Sequence, residues 1–269
     1  MAYITDSWST IERNCRLGKA KELYALGDLK TLTFTVDGVQ ETVDMEIIDF
    51  DHDDLPNGNK ATITFFSKQL LSQYKKMNND NQNSGGWAGS YSLRSWCNVD
   101  LFNALPSDLQ TVIKSVKKLS DGGQYSTSLV ETTDKVWFAS ISEIAYDSAI
   151  TTLGGQGSKY ALVDQSGSSW RIKNKSDGTA YYWWSRSATT DTWKWGYASQ
   201  WGGFSYDNAA NAFGIAFGFC IGESTDTTYD EKYVVETEWI IDVATEVRRL
   251  TGTQNNLTTD QILDALKTL

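Results

Sequence analysis

The sequence predicts an α+β fold built around an antiparallel β-meander, and three observations carry that prediction. Trp8, Ile11 and Cys15 recur at helical spacing within residues 6–26, which marks a short amphipathic helix. Residues 24–53 alternate apolar and polar on either side of Asp37-Gly38, the dipeptide favoured where both turn positions need positive φ, which marks a β-hairpin. Residues 179–222 are short aromatic runs separated by Thr190-Asp191, Gly202-Gly203 and Asp207-Asn208, all turn formers, which marks the meander.

The remaining elements follow in order. Ser9 and Glu12 stand in the relation of a capping box for the first helix. After the hairpin come a strand at 61–67 and a helix through Leu70, Leu71, Tyr74 and Met77. Residues 78–86 form a polar loop, and Trp87, Leu93, Trp96, Leu101 and Leu105 mark helix and buried turn. Pro106 breaks the chain and Ser107 caps a helix over 108–119. That helix turns Leu109, Val112, Ile113 and Val116 inward, with Lys114, Lys117 and Lys118 in the solvated charge run. A strand at 135–140 precedes irregular Gly/Ser-rich chain up to Gly178. Beyond residue 222 the sequence turns acidic, then reads as a strand over 233–247 and a terminal helix. Thr258 and Gln261 cap that helix, and Leu257 and Ile262 staple it. Two units result: a domain over 1–222, and a C-terminal strand-and-helix extension over 223–269 suited to docking or oligomerisation.

Composition narrows the function classes. A net charge of −10 and a pI near 4.6 repel phosphate backbones and anionic headgroups, which argues against nucleic acid and membrane surfaces. No window approaches the roughly 20 apolar residues of a membrane span. The first residues lack the basic and apolar regions of a signal peptide, so synthesis in the cytoplasm is expected. Cys15, Cys97 and Cys220 are widely spaced and odd in number, the pattern of free buried thiols.

Candidate chemistry is sparse. Asp49, Asp51, Asp53 and Asp54 around His52 imitate the start of an EF-hand loop. The sixth position is Asp54 where glycine is needed, and the twelfth is Lys60 where a bidentate Glu is needed. A solvated turn is expected there, with no metal and no cofactor. His52 is the single imidazole, and no Gly-x-Ser-x-Gly elbow is present, so no catalytic residues are assigned and an enzyme is not expected. The Gly-rich run at 154–159 lacks phosphate-loop spacing. The binding candidates are Trp193, Trp195, Tyr197, Gln200, Trp201, Phe204, Tyr206, Asn208 and Asn211, with Phe213 beside them. Rigid aromatics supply contact area at small entropic cost while Asn and Gln supply adaptable hydrogen bonds. The same alternation also fits a meander core, and spacing alone does not separate the two.

Five ordered blocks, GGWAGSYSLRSW (85–96), LPSDLQTVIKSVKK (105–118), TDKVWFASISEI (133–144), WWSRSA (183–188) and GIAFGFCI (214–221), resemble a domain family common in phage structural genes and in prophages of Gram-positive gut bacteria. The segments YALGDLKTLTF and IIDFDHDDL look like it too. The closing pattern, a W-x-R-S block followed by turns and an aromatic-rich strand, is similar to the C-type-lectin-like fold. That fold is shared with variable proteins of diversity-generating retroelements and with formylglycine-generating enzymes. The resemblance implies a scaffold carrying a loop-rich display face. The tripeptides with which sugar-binding C-type lectins hold calcium are absent here, and the cysteines lack the redox spacing of formylglycine-generating enzymes. Within this pattern Trp87, Arg94, Trp96, Trp184 and Arg186 read as structural, the guanidinium groups stacking on indoles and satisfying buried carbonyls.

The expected function is a bacteriophage virion surface protein on the capsid, tail tip or baseplate. It would bind host-surface carbohydrate or protein through its aromatic, Asn-rich face and contact other virion proteins through the extension, with a homo-oligomer compatible. The alternative is a structural virion subunit whose aromatic face packs on its neighbours. A third reading is an enzyme acting on host surface polysaccharide.

Overall fold

A computed structural model describes residues 1–89, 93–145, 155–190 and 193–224. The N-terminal third supplies α1 (Trp8–Arg16), α2 (Ala20–Leu23), β1 (Leu29–Val36), β2 (Val39–Phe50), β3 (Lys60–Ser67) and β4 (Tyr74–Lys76). Next come α3 (Gly86–Gly89), α4 (Leu93–Trp96), a π-helical turn (Cys97–Leu101), α5 (Phe102–Ala104) and α6 (Ser107–Val112). The middle adds β5 (Ile113–Lys114), β6 (Val116–Asp121), β7 (Leu129–Asp134), α7 (Ile141–Ile144), α8 (Ala161–Ser166) and a 3-10 turn (Gly167–Arg171). From Lys173 to Ser224 the described elements are all strands: β8 (Lys173–Asn174), β9 (Ala180–Tyr181), β10 (Trp183–Ala188), β11 (Lys194–Ala198), β12 (Phe204–Asn208), β13 (Ala212–Gly214) and β14 (Gly218–Ser224).

Mixed helices and largely antiparallel sheets make this an α+β fold. One five-stranded sheet has the order β1-β2-β3-β14-β5 and the other β12-β11-β10-β13-β4. Asp37 and Gly38 both take positive φ, so β1 and β2 pair in full register through Val36↔Val39. β10, β11 and β12 form the expected antiparallel meander, whereas β13 runs parallel to β10 and β14 leaves for the first sheet, between β3 and β5.

β3 is buried on both faces from Ala61 to Ser67 and separates two cores. On one side Phe65 takes the edges of Trp8 and pairs with Phe219; on the other Phe66 meets Trp137, Trp170 and Trp183. A strand between two apolar layers shows a continuous apolar run instead of an alternation. Gly222 at φ +76 lets α1 close on β14, because a Cβ there would lie 2.3 Å from the Cβ of Cys15.

Several local expectations are corrected. α1 is capped by Ser7, whose Oγ accepts from the Thr10 N–H; Glu12 pairs with Arg16 instead of closing a box with Ser9. Residues 70–77 are extended, not helical: Leu71 donates to the Ile215 carbonyl and β4 pairs with β13. The helix expected over 108–119 stops at Val112, and the chain continues as β5 and β6. The strand expected at 135–140 reduces to a bridge between Trp137 and Gly218, the ladder strand being β7. The strand and terminal helix expected within 223–269 lie outside the described residues beyond Ser224.

Candidate functional site

The second sheet brings one end of five strands to a common level, with Phe204, Ala198, Trp183, Gly214 and Tyr74 in register across it. At that end seven rings form an unbroken series. Tyr74 meets Tyr181 at 4.9 Å and Tyr181 meets Tyr182 at 5.5 Å. Tyr182 then contacts Tyr197, Phe213 and Trp201, while Trp184 stacks on Phe213 at 4.4 Å beneath them. The series emerges at Trp201, 72% exposed, and at Tyr74, 41% exposed.

The display of Trp201 is built, not incidental. It sits in the β11–β12 turn, where Ser199 and Gly203 exchange backbone and side-chain hydrogen bonds. The neighbouring Gly202 has φ +77, and a Cβ on it would lie 2.4 Å from the Ser168 carbonyl. Arg171 donates from Nε to the Gly202 carbonyl at 2.6 Å and lays its guanidinium over Phe204. The turn is thereby bolted to the 3-10 segment, which lowers the ordering cost of anything that docks on Trp201.

The binding candidates therefore divide. Tyr197, Trp201 and Phe213 belong to the ring series. Trp195 does not: it is fully buried and donates from Nε1 to the Gln82 carbonyl, because β11 has packed structure on both faces. Trp193, 43% exposed, lies at the opposite end of β11, about 13 Å away at a strand's rise per residue. Gln200, Phe204, Tyr206 and Asn208 are half-buried, and Asn211 is exposed with its amide on Asp207. Tyr74, Tyr181 and Tyr182 escaped the sequence reading. The helical spacing of Leu70, Leu71, Tyr74 and Met77 masks the strand position of Tyr74, and Tyr181 and Tyr182 lie just before the WWSRSA block.

The five structural candidates are all tied to carboxylates or carbonyls. Trp87 Nε1 and Arg94 Nε converge on the two oxygens of buried Asp134 at 2.9 and 2.8 Å. Trp96 donates to Asp37 and carries Lys75 over its ring; Trp184 donates to the Lys75 carbonyl. Arg186 is aimed by a bulge: Trp184 pairs with Tyr197 and Ala188 with Trp195, so β10 spends two more residues than β11 over that interval. All five N–H donors of Arg186 are used, on Glu143 in bidentate fashion and on the carbonyls of Leu119, Phe138 and Gln156.

Arg186 opens onto a buried ionic cluster that overturns the reading of Lys118 as part of a solvated charge run. Lys118 is fully buried and directs its ammonium to Asp53, to Tyr160 Oη at 2.7 Å and to Glu143 at 3.3 Å, with the Trp137 ring 3.5 Å away. Asp53 also accepts from Thr64 and from the Cys220 thiol. Two cations thus face two carboxylates. Burial would raise the pKa of both carboxyls, but Lys118 beside Asp53 and Arg186 beside Glu143 outweigh it; the pKa of Asp53 is held at about 2 and that of Glu143 below its ordinary value. Burial pushes the Cys220 and Cys97 thiols well up and Cys15 to about 12, the state of inert thiols.

The acidic turn is likewise taken apart by its partners. Asp51 faces Lys21, Asp54 faces Lys60, and Asp53 enters the ionic cluster. Among the described residues no group of His, Cys, Asp and Glu has the arrangement of a metal site. His52 is turned back by Asp51 at φ +50, so that Nδ1 meets Asp49 Oδ2 at 2.8 Å and Nε2 meets Ser158 Oγ at 3.3 Å. The ring lies against Tyr160 with centroids 4.4 Å apart. Burial lowers its basicity, but the Asp49 hydrogen bond and the charges of Asp53, Asp49 and Glu143 raise it above the ordinary imidazole value. Ser158 comes from 106 residues away in a Gly/Ser-rich stretch, so nothing local announced it.

No curated protein and no solved structure matches this chain. A family model described as a domain of unknown function, DUF6273, matches residues 62–222, over half of the sequence and including the meander, most of β14 and most of the ionic cluster. The chain therefore belongs to the DUF6273 family.

Proposed function

We propose that the chain is a C-type-lectin-like binding module displayed on a bacteriophage particle, and that it attaches to a host-surface carbohydrate or protein through the aromatic end of its second sheet. The observation that carries this reading is the continuous ring series from Trp184 to Trp201 and Tyr74, whose outermost members are solvent-facing on a rigid turn and a strand edge. Single exposed aromatics are ordinary on protein surfaces, whereas a connected, partly exposed cluster marks an interaction site. Ring faces of this kind suit the apolar faces of sugars, and the tyrosine hydroxyls supply polar tips. A particle carrying many copies would convert weak single contacts into firm attachment. The resemblance of the five ordered blocks to a domain family of phage structural genes supports the location.

Binding of the full chain to intact host cells tests the reading. Trp201→Ala combined with Tyr74→Ala should weaken binding at least about tenfold with an unchanged melting temperature, since both side chains are exposed. Equal binding by wild type and the folded double variant would remove the aromatic end as the site. A concentration-dependent oligomer that the double variant dissolves would instead identify the face as a subunit contact.

A further inference from the structure

Asp49, His52 and Ser158 stand in the order acid, imidazole, hydroxyl, each within hydrogen-bonding reach of the next. Asp49 is fixed before it touches His52: Oδ1 accepts the Phe50 N–H and Oδ2 the Ala161 N–H, both at 2.8 Å. A carboxylate only accepts, so Nδ1 of His52 carries the proton, and in the neutral ring the Nε2 lone pair faces Ser158 Oγ. The Tyr160 ring and the Lys60 ammonium on the His52 carbonyl hold the imidazole in place. Ser158 is exposed, and so are Gly155 and Gly157 before it. Gly157 has φ +111, and a Cβ there would meet the Glu143 side chain at 2.8 Å, so the backbone leading to the serine is confined to glycine. A surface hydrogen bond between Ser and His needs neither an orienting carboxylate held by two backbone N–H groups nor a glycine-restricted approach. A nucleophile with a positioned base uses both.

We propose that Ser158, His52 and Asp49 form a hydrolytic triad acting on carboxylic esters of small acyl groups, such as an O-acetylated alcohol. Ser158 Oγ attacks the ester carbonyl and forms the C–O bond while its proton passes to His52 Nε2. Collapse of the tetrahedral species breaks the bond to the alcohol, which leaves with that proton. Water then attacks the acyl-serine, delivers its proton to Nε2, and releases the carboxylic acid as Ser158 recovers the proton. Asp49 keeps the ring in the Nδ1–H tautomer and stabilises the transient imidazolium. The open setting of Ser158 favours a small acyl group and an activated oxygen leaving group over an amide held in a deep groove.

The test uses the full chain with a phosphonofluoridate probe and with p-nitrophenyl acetate. Wild type should carry the probe on the peptide containing Ser158, with loss of fluoride. Ser158→Ala, which alters an exposed side chain and should keep the wild-type melting temperature, should lose both the adduct and ester hydrolysis. His52→Gln should slow labelling and turnover by about a hundredfold or more. Absence of the adduct from wild type, hydrolysis that persists in Ser158→Ala, or undiminished labelling in His52→Gln would each overturn the proposal and leave the contact as a surface hydrogen bond.

Discussion

Lys118 shows at the residue scale how a buried charge is made tolerable. Its three ammonium protons meet Asp53, Glu143 and Tyr160, and its apolar stem lies within the second core. Lys118→Met removes one cation and leaves two buried carboxylates to share Arg186. A loss of about 3–5 kcal/mol in urea unfolding is expected. Asp121 is the opposite case. It is buried, Gln156 donates to Oδ2, Oδ1 has no hydrogen-bond partner among the described residues, and burial lifts its pKa to about 7 against the Gln156 bond and the Arg186 charge. Its folded value lies above its unfolded one, so the folded state takes up a proton. The associated stability is full below about pH 4 and is lost as the pH rises through about 7. Urea midpoints measured from pH 4 to 8 should fall in wild type and lose that component in Asp121→Asn; parallel profiles would assign the pH dependence elsewhere.

Elements hold their positions through close backbone approaches more than through propensity. α1 docks on β14 at Gly222, and Gly222→Ala combines a Cβ overlap with Cys15 and a left-handed φ. A loss of about 3 kcal/mol is expected by denaturant unfolding. Ser7→Ala, which removes only the cap of the same helix, should cost about 1 kcal/mol. The hairpin at Asp37-Gly38 was legible because its turn chemistry is local. The end of α6 was not, because Val112, Ile113 and Val116 satisfy a helical period and also line the start of a strand. What decides between them is the pairing of β5 with β14, more than 100 residues away. The bulge in β10 was invisible for the same reason, since it is defined by the count of residues on β11.

The described residues hold two five-stranded sheets and two cores, and this explains which part of the site could be read from sequence. Aromatic richness near 183–213 announced a special region. Trp195 and Tyr197 alternate correctly, but packing on both faces of the sheet leaves alternation unable to choose an outside. The ionic cluster draws Asp53, Lys118, Glu143 and Arg186 from four separated stretches; Arg186 reads as structural in its own block, whereas Asp53 and Lys118 read as a solvated turn and a solvated charge run. Residues 1–224 enclose both cores as one unit. A chain ending at Ser224 should therefore melt in a single cooperative transition by calorimetry.

The position of β14 has a consequence for how the polypeptide is made. It is the last described strand, yet it lies between β3 and β5, so the first sheet stays split until residue 224 has been synthesised. Until then β3 offers a long apolar edge with no partner on that side, the template on which nascent or prematurely terminated chains pair with one another. Every molecule passes through this vulnerable interval during translation, and a premature stop before Gly218 makes it permanent.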